Sequence, residues 1–403
     1  MSTIVMKFGG TSVANLSRIK KVVEFVEEKI ESGNHKIVLV VSAMSGVTNK
    51  LAQEYKKVRK DIANPEYDVI LSTGEQYSSA LISSFLNERK ISSRSILGWQ
   101  IPIITDNNYS KARIVRINTD VIKDFLKKYR VLVIAGFQGI SNEGRITTLG
   151  RGGSDTSAVA LASSLGLKDC EIYTDVEGIF TSDPRIVKGA RKIETITYEE
   201  ILELASLGSK VLHPRSVELA MKYGVRVNVR SSFTRKSGTM VLKEENKIEK
   251  EVVTGITSSE NEAKITLKGI PDKPGIAAKI FGSLACVNIN VDMIVQNITD
   301  DGKYASLTFT IPVDDHGKAV KQLKSSNIKF KKIHVDKAIC KISIVGVGMK
   351  SNVGVAQKMF ETLAKKNINI QVISTSEIKI SVLIELAKKK VALKALHSAY
   401  NLD

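Results

Sequence analysis

Long apolar runs are missing from this 403-residue chain. No stretch reaches the roughly 18 residues needed to cross a bilayer, so no membrane span or membrane partner is expected. The opening "MSTIVMKFGG" has no charged region ahead of an apolar core and does not read as a secretory signal. Cysteine is scarce: Cys170, Cys286 and Cys340 stand far apart, without the density of a disulfide framework or the spacing of a metal site. A cytoplasmic location is expected. Aromatic residues make up only 5% of the chain, which argues against the stacking platforms of single-strand nucleic-acid binders.

The remaining composition is that of an ordinary globular protein, with 43% hydrophobic and 25% charged residues and enough length for two or three domains. Net charge is +18, from 60 basic and 42 acidic residues. The lysines are spread along helical patterns such as "KKVVEFVEEKIESG" and "LAKKKVALKAL" instead of forming one basic block. That is a solvated surface, and no nucleic-acid partner is expected.

From Thr3 to about Val229, apolar runs alternate with amphipathic helical patterns. Strands are expected at "TIVMKF", "KIVLVVSA", "RVLVIAGF", "EIYTDV" and "VRVNVR". Helices are expected at Ser17–Glu31, Glu75–Glu88, Thr119–Lys128, Ser157–Ser164 and Tyr198–Leu207. Such alternation predicts an α/β fold, a mainly parallel sheet sandwiched by helices, with ligands at the carboxyl ends of the strands. Residues 1–235 form this domain, and 236–262 read as a linker.

The rest of the chain is a repeat. "GIAAKIFGSLACVNIN" (Gly275–Asn290) aligns without gaps with "GVAQKMFETLAKKNIN" (Gly354–Asn369), and nine of sixteen positions agree, too many for chance. The first copy, 263–337, reads βαββαβ, the ferredoxin-like order. The second, 338–403, lacks a last strand. The strand-like "EVVTGIT" at 251–257 has no partner and is expected to complete that second sheet.

Chemistry concentrates at predicted strand ends. In "LGRGGSDTSAVALA" three glycines, an arginine, a serine and an aspartate occupy six residues ahead of a helix expected from Asp155 to Ala162, capped by Ser154 or Asp155. Helix starts attract anions. "KFGGTS" puts Lys7 where a strand opens into a Gly-Gly turn, supplying N–H groups and a cation for phosphate oxygens. "VVSAMSGVTNKL" presents Ser42, Ser45 and Thr48. "LSTGEQ" sets Glu75 in what reads as a helix's first turn, either a dipole partner or a ligand for a substrate ammonium. "YTDVEGIFTSDPR" carries Thr174, Asp175, Asp183 and Arg185 between turn signals. His213 in "KVLHPRS" reads as a capping or packing residue.

Taken together, and in this order, these segments resemble the aspartate kinase family over essentially the whole chain. "GFQG", "LASLGSKVLHPRSVELA", "GIPDKPGIAAKIF" and "VDMIVQN" add to the likeness. The resemblance implies an amino-acid-kinase catalytic domain followed by two ACT domains, ATP as co-substrate with Mg²⁺, and L-aspartate as acceptor. It also implies lysine or threonine as inhibitors, a homo-oligomer formed through the ACT domains, and a place at the head of lysine, threonine and methionine synthesis. It assigns Lys7, Arg151 and Asp155 to catalysis. Thr48, Glu75, Arg151, Gly152, Gly153 and Ser154 would hold aspartate. Lys7, Phe8, Gly9, Gly10, Ser42, Thr174, Asp175, Phe180, Arg185 and Lys210 would line the nucleotide site. Asp272, Asn290, Val291, Asp292, Gln296, Val355, Ala356, Asn369, Ile370, Ser376 and Glu377 would bind the effector. No metal site built by protein side chains is expected.

Two departures from the family pattern stand out: Glu177 where Asp is common, and "SAMSGVTN" in place of "SAMGxTTD". The alternatives are a carboxylate kinase for glutamate or N-acetylglutamate, and a catalytically silent amino-acid-binding subunit.

Overall fold

The structure, a computed structural model, describes residues 2–206, 211–243, 251–300 and 302–403. Of these, residues 2–179, 192–206 and 211–243 form one compact unit, and residues 180–191 and 251–403 a second.

The first unit begins with β1 (Thr3–Phe8), α1 (Leu16–Gly33), β2 (Lys36–Val41), α2 (Val47–Val58) and α3 (Pro65–Glu88). Then come β3 (Ser93–Ile96), β4 (Ile103–Thr105), β5 (Ile114–Ile117), α4 (Thr119–Lys128) and β6 (Val131–Ala135). They are followed by β7 (Gln138–Ser141), β8 (Ile146–Thr148), α5 (Gly153–Ser164) and β9 (Asp169–Thr174). The unit closes with β10 (Thr195–Thr197), α6 (Tyr198–Ser206), α7 (Pro214–Tyr223), β11 (Arg226–Ser231) and β12 (Thr239–Leu242). Eight strands make one sheet in the order β10-β12-β11-β9-β1-β2-β6-β3, parallel except where β11 meets β12. Strands β2 and β6 are almost wholly buried. That is why they read as unbroken apolar runs instead of alternating ones. A smaller sheet runs β5-β4-β7-β8.

Three sequence expectations are corrected here. Helix α3 starts at Pro65 behind the Asn64 cap, ten residues before the expected start, so Glu75 lies mid-helix. Asn-Pro is a helix-start signal, while the expected start at Glu75 falls just after Gly74 in "LSTGEQ". Helix α5 starts at Gly153 after the left-handed cap Gly152 (φ 68°), so Ser154 and Asp155 are first-turn residues and not caps. The stretch read as a linker from 236 contains β12, too short and too mixed in polarity to stand out. Expected positions 207 and 244–250 lie outside the described residues.

The second unit holds β13 (Gly255–Ser259), β14 (Glu262–Pro271), α8 (Ile276–Ala285), β15 (Asp292–Ile298), β16 (Tyr304–Pro312), α9 (His316–Ser325) and β17 (Lys332–Asp336). The second repeat follows as β18 (Ile339–Val345), α10 (Val355–Lys365), β19 (Val372–Thr375), β20 (Lys379–Glu385) and α11 (Lys389–Ala399). The two sheets are β15-β16-β14-β17 and β13-β18-β20-β19. Strand β13 runs antiparallel to β18, in the place that β17 takes beside β14. Both copies enter their first helix through a left-handed glycine, Gly275 and Gly354, each at φ 85°. The excursion 180–191 is part of this unit. Val187 is buried in the second repeat's core, and Thr181 Oγ1 lies 2.9 Å from the fully buried His397 Nε2.

Candidate active site

Strands β9, β1, β2 and β6 are neighbours in that order and release their chains at one edge of the sheet. Lys7 is level with Val40 of β2 and Ile172 of β9. The next side chain, Phe8, is fully buried on the α1 side, stacked on Tyr173 with centroids 4.4 Å apart. Strand alternation sends Lys7 to the other face, where α5 lies. There Lys7 Nζ stands 2.5 Å from Asp155 Oδ1, with side chains 10% and 11% exposed. Phe8 therefore offers a ligand only its main chain. Beyond it, Gly9 N–H donates to Tyr173 O at 3.2 Å. A Cβ on Gly10 would lie 2.9 Å from Ala43 O, so this turn can be that tight only with glycine.

At the end of β2, Ser42 N–H donates to Phe8 O and Ala43 N–H donates to Glu75 Oε1 at 3.0 Å. Glu75 is 3% exposed, and its Oε2 is buried with no hydrogen-bond partner. Burial raises its pKa to about 8, with the Ala43 N–H only partly opposing the shift. Helix α3 approaches this closely because residue 74 is glycine: a Cβ there would sit 2.7 Å from Ala43 Cβ. Ser42 and Thr48, the latter in the first turn of α2, are half-buried, and Ser45 is exposed.

The glycine-rich loop meets the same region from α5. Gly150 and Gly152 both have positive φ, and a Cβ on Gly152 would lie 2.2 Å from His213 Cβ. Gly153 is packed on Phe137, and Ser154 faces Gly136 at the end of β6. Arg151 is exposed between the glycines. His213 packs under this loop, its Nδ1 buried without a partner, and burial lowers its pKa. It sits at the N-cap of α7 without making a capping hydrogen bond.

At the end of β9, Thr174 Oγ1 donates to Asp175 Oδ1 at 3.2 Å, and Ser232 N–H donates to Thr174 O. Glu177 pairs with Lys236 at 3.0 Å. Phe180 and Arg185 belong to the second unit, where the Arg185 guanidinium donates twice to Asp183. Lys210 lies outside the described residues.

Sequence comparison supplies the family. A profile described as "Amino acid kinase family" matches residues 2–231, and one described as "ACT domain" matches 265–326 and 342–400. An aspartate kinase of Pseudomonas putida is 49% identical, covering 100% of this chain and 98% of its own. The chain belongs to the aspartate kinase family. Solved structures of E. coli aspartokinase III share the architecture: one is in complex with aspartate and ADP (R-state), another with lysine and aspartate (T-state). Each is 26% identical with TM-score 0.79, covering 99% of both chains. As in other aspartate kinases, a kinase domain of mainly parallel sheet is joined to ACT domains with small antiparallel sheets.

In the ACT repeats of this family member, the expected effector residues Asp292 and Gln296 lie on β15, and Val355 and Ala356 open α10. Asp272 precedes α8, Asn290 and Val291 precede β15, and Asn369, Ile370, Ser376 and Glu377 flank β19. Asp272 is half-buried, with Gln296 Nε2 reaching its carboxylate at 3.4 Å. Asn290, Asn369, Ser376 and Glu377 are exposed, and Val291, Ala356 and Ile370 half-buried. Val355 is buried and its carbonyl accepts from Tyr400 OH. Asp292 is not an open acceptor: its Oδ2 is 2.6 Å from Lys341 Nζ and its Oδ1 takes Met293 N–H. Lys341 is buried and also pairs with Glu262, joining the first strand of the second repeat to two strands of the first. Burial opposes the Asp292 charge, yet Lys341 outweighs it and the carboxyl is held below its usual range. No helix among the described residues is long and apolar enough to cross a membrane.

Proposed function

We propose that this kinase transfers the γ-phosphoryl group of ATP to the β-carboxylate of L-aspartate, giving ADP and 4-phospho-L-aspartate. The observation that carries the reading is the buried, unpartnered Oε2 of Glu75 in a site that also holds the Lys7–Asp155 ion pair. A buried polar atom without a partner marks a place where a ligand donor fits. The aspartate ammonium is such a donor; an acetylated amine, carrying no charge, is not. Its arrival favours the ionised carboxylate, and the Glu75 proton leaves to solvent.

Phosphoryl transfer needs positioning and charge stabilisation more than covalent chemistry. Lys7, with the main chain of Phe8, Gly9 and Gly10, meets the charge of the moving group. Arg151 grips the substrate α-carboxylate as a planar fork. Thr48, Gly152, Gly153 and Ser154 complete that pocket, while Asp155 holds Lys7 in place and orients the reacting groups. The β-carboxylate is already ionised at pH 7, so no strong base is required. Ser42, Thr174, Asp175, Phe180, Arg185 and Lys210 are assigned to ATP. Magnesium takes oxygen ligands, and among the described residues no group of three or more His, Cys, Asp or Glu side chains exists to cage it. It fits as a companion of the nucleotide phosphates, with Asp155 as the carboxylate that would face it, and neutralises phosphate charge when bound.

The reaction is assigned to the cytoplasmic synthesis of lysine, threonine and methionine, with lysine or threonine as inhibitor bound in the ACT repeats of a homo-oligomer. The lysine-bound E. coli relative supports that regulation. The test is incubation of the purified protein with ATP, Mg²⁺, hydroxylamine and one acceptor at a time. Aspartyl hydroxamate from aspartate alone is the expected product. A hydroxamate from glutamate or N-acetylglutamate instead, or none from any acceptor, contradicts the reading.

A further inference from the structure

The loop that carries Arg151 is held from two sides by residues to which no role has so far been given. On one side is Asp68 of α3, completely buried, with no ion pair among the described residues. Its carboxylate accepts Thr148 N–H at 2.7 Å and Thr148 Oγ1–H at 2.8 Å. It also accepts Ser110 N–H, at 2.9 Å on one oxygen and 3.0 Å on the other. On the other side is Arg215, in the first turn of α7. Its Nη1 donates to Leu149 O and its Nη2 to Ala112 O, both at 2.7 Å. Ala112 N–H in turn donates to Thr148 O at 2.9 Å.

Thr148 and Leu149 are the last residues before Gly150 and Arg151. Every polar main-chain atom named here is fixed by a charged group or by the neighbouring segment 110–112. Gly150 lies directly on that segment, since a Cβ there would be 3.1 Å from Ser110 O. Past this clamp the chain is free to turn: Gly150 and Gly152 both adopt positive φ, and Arg151 is exposed between them. A fixed base under a glycine-flanked arginine is how an otherwise mobile guanidinium is aimed. Hydrogen bonds to charged groups are worth about twice neutral ones. A buried carboxylate satisfied only by N–H and O–H donors is a costly feature to keep for packing alone.

We propose that Asp68 and Arg215 are positioning residues for aspartate, acting through the register of the Thr148–Leu149 segment on Arg151. This rests on the reading of Arg151 as the α-carboxylate ligand. A displacement of about 1 Å in such a group can cost on the order of 100-fold, so a partial loosening should be visible well before the fold fails.

Steady-state kinetics of the full-length protein test this, with aspartate and ATP varied separately. Arg215→Gln should raise the aspartate KM by about tenfold and leave the ATP KM within about twofold. Arg215→Lys, which keeps the charge but offers a single nitrogen in place of the two that reach the two carbonyls, should fall between Arg215→Gln and the parent. Asp68→Asn should act in the same direction. The deciding readout is the double-mutant cycle: in an Arg151→Ala background, Arg215→Gln should change the aspartate KM by less than about twofold. The same tenfold effect in both backgrounds, or a parallel loss in kcat and both KM values, overturns positioning and leaves a purely structural role. Should Arg215→Gln not fold, the cycle is run with Arg215→Lys. If Arg151→Ala itself leaves the aspartate KM unchanged, the reading of Arg151 fails and the proposal falls with it. If Arg151→Ala raises that KM and neither Arg215 variant does, only the positioning proposal fails.

Discussion

Lys7 Nζ and Asp155 Oδ1 stand 2.5 Å apart, one from the end of the central strand β1, the other from the first turn of α5. Each charge is nearly buried, and each compensates the other. The pair keeps a cation in place at the strand end before any ligand arrives, which is the condition for stabilising charge without reorganisation.

Lys7→Ala should therefore lower kcat by about 10²–10³, as for loss of one preorganised donor. Circular dichroism should show the fold retained, with a lowered melting temperature because Asp155 is left buried and unpaired. A turnover close to the parent's would remove Lys7 from the mechanism.

Glu75 gives a pH signature. Its folded pKa of about 8 lies above the ordinary 4.5, so the free site holds a neutral carboxyl at pH 7. Aspartate needs the carboxylate, and the apparent aspartate KM should rise as pH falls from 8 to 6, approaching tenfold per unit. Stability runs the other way. A raised pKa favours the native state fully below about pH 4.5, and that contribution is lost as pH climbs through about 8. Glu75→Gln lacks this dependence, so its melting temperature should gain on the parent's between pH 5 and 8. A constant difference between the two melting curves would show that Glu75 titrates normally.

Arg151→Lys keeps the charge and loses the planar fork. It should weaken the enzyme through the aspartate KM, with the ATP KM little changed. An effect confined to ATP would mean that the two substrate assignments are exchanged.

Regulation is tested at the contact between the repeats. Asp292 shares Lys341 with Glu262, so an effector ammonium at Asp292 must share or displace the buried lysine. Asp292→Ala should raise the lysine or threonine concentration for half-inhibition by at least about fivefold, the lower end of usual allosteric coupling. An unchanged inhibition curve would take Asp292 out of the effector site.

Much of this was legible in the sequence where one element decides its own fate. The spans of β1 and α4 coincide with the runs "TIVMKF" and Thr119–Lys128. Lys7 and Asp155 stand out separately, at a strand end and near a helix start; their pairing is seen only in the fold. What escaped depends on tertiary contact. Nothing local marks Gly74 as the residue that lets Glu75 reach Ala43, so Glu75 read as a first-turn residue, either a dipole partner or a ligand for a substrate ammonium. Lys341 is 49 residues from Asp292, and only the pairing of the two repeats brings them together. Asp68 precedes the helix expected from Glu75, no helix is expected around Arg215, and neither residue carries a local signal, because what they bind is main chain. Short strands such as β4, β8 and β10, three residues each, carry no usable period.

The central claim is that Glu75 and Lys7 serve a free amino acid whose side-chain carboxylate takes the phosphoryl group. Phosphorus NMR of the protein with ATP, Mg²⁺ and either L-aspartate or N-acetyl-L-aspartate tests it most directly. The account predicts one acyl phosphate per ADP with L-aspartate and no acyl phosphate with the acetylated acid. Equal acyl phosphate from both, or ADP accompanied only by inorganic phosphate from the outset, would contradict it.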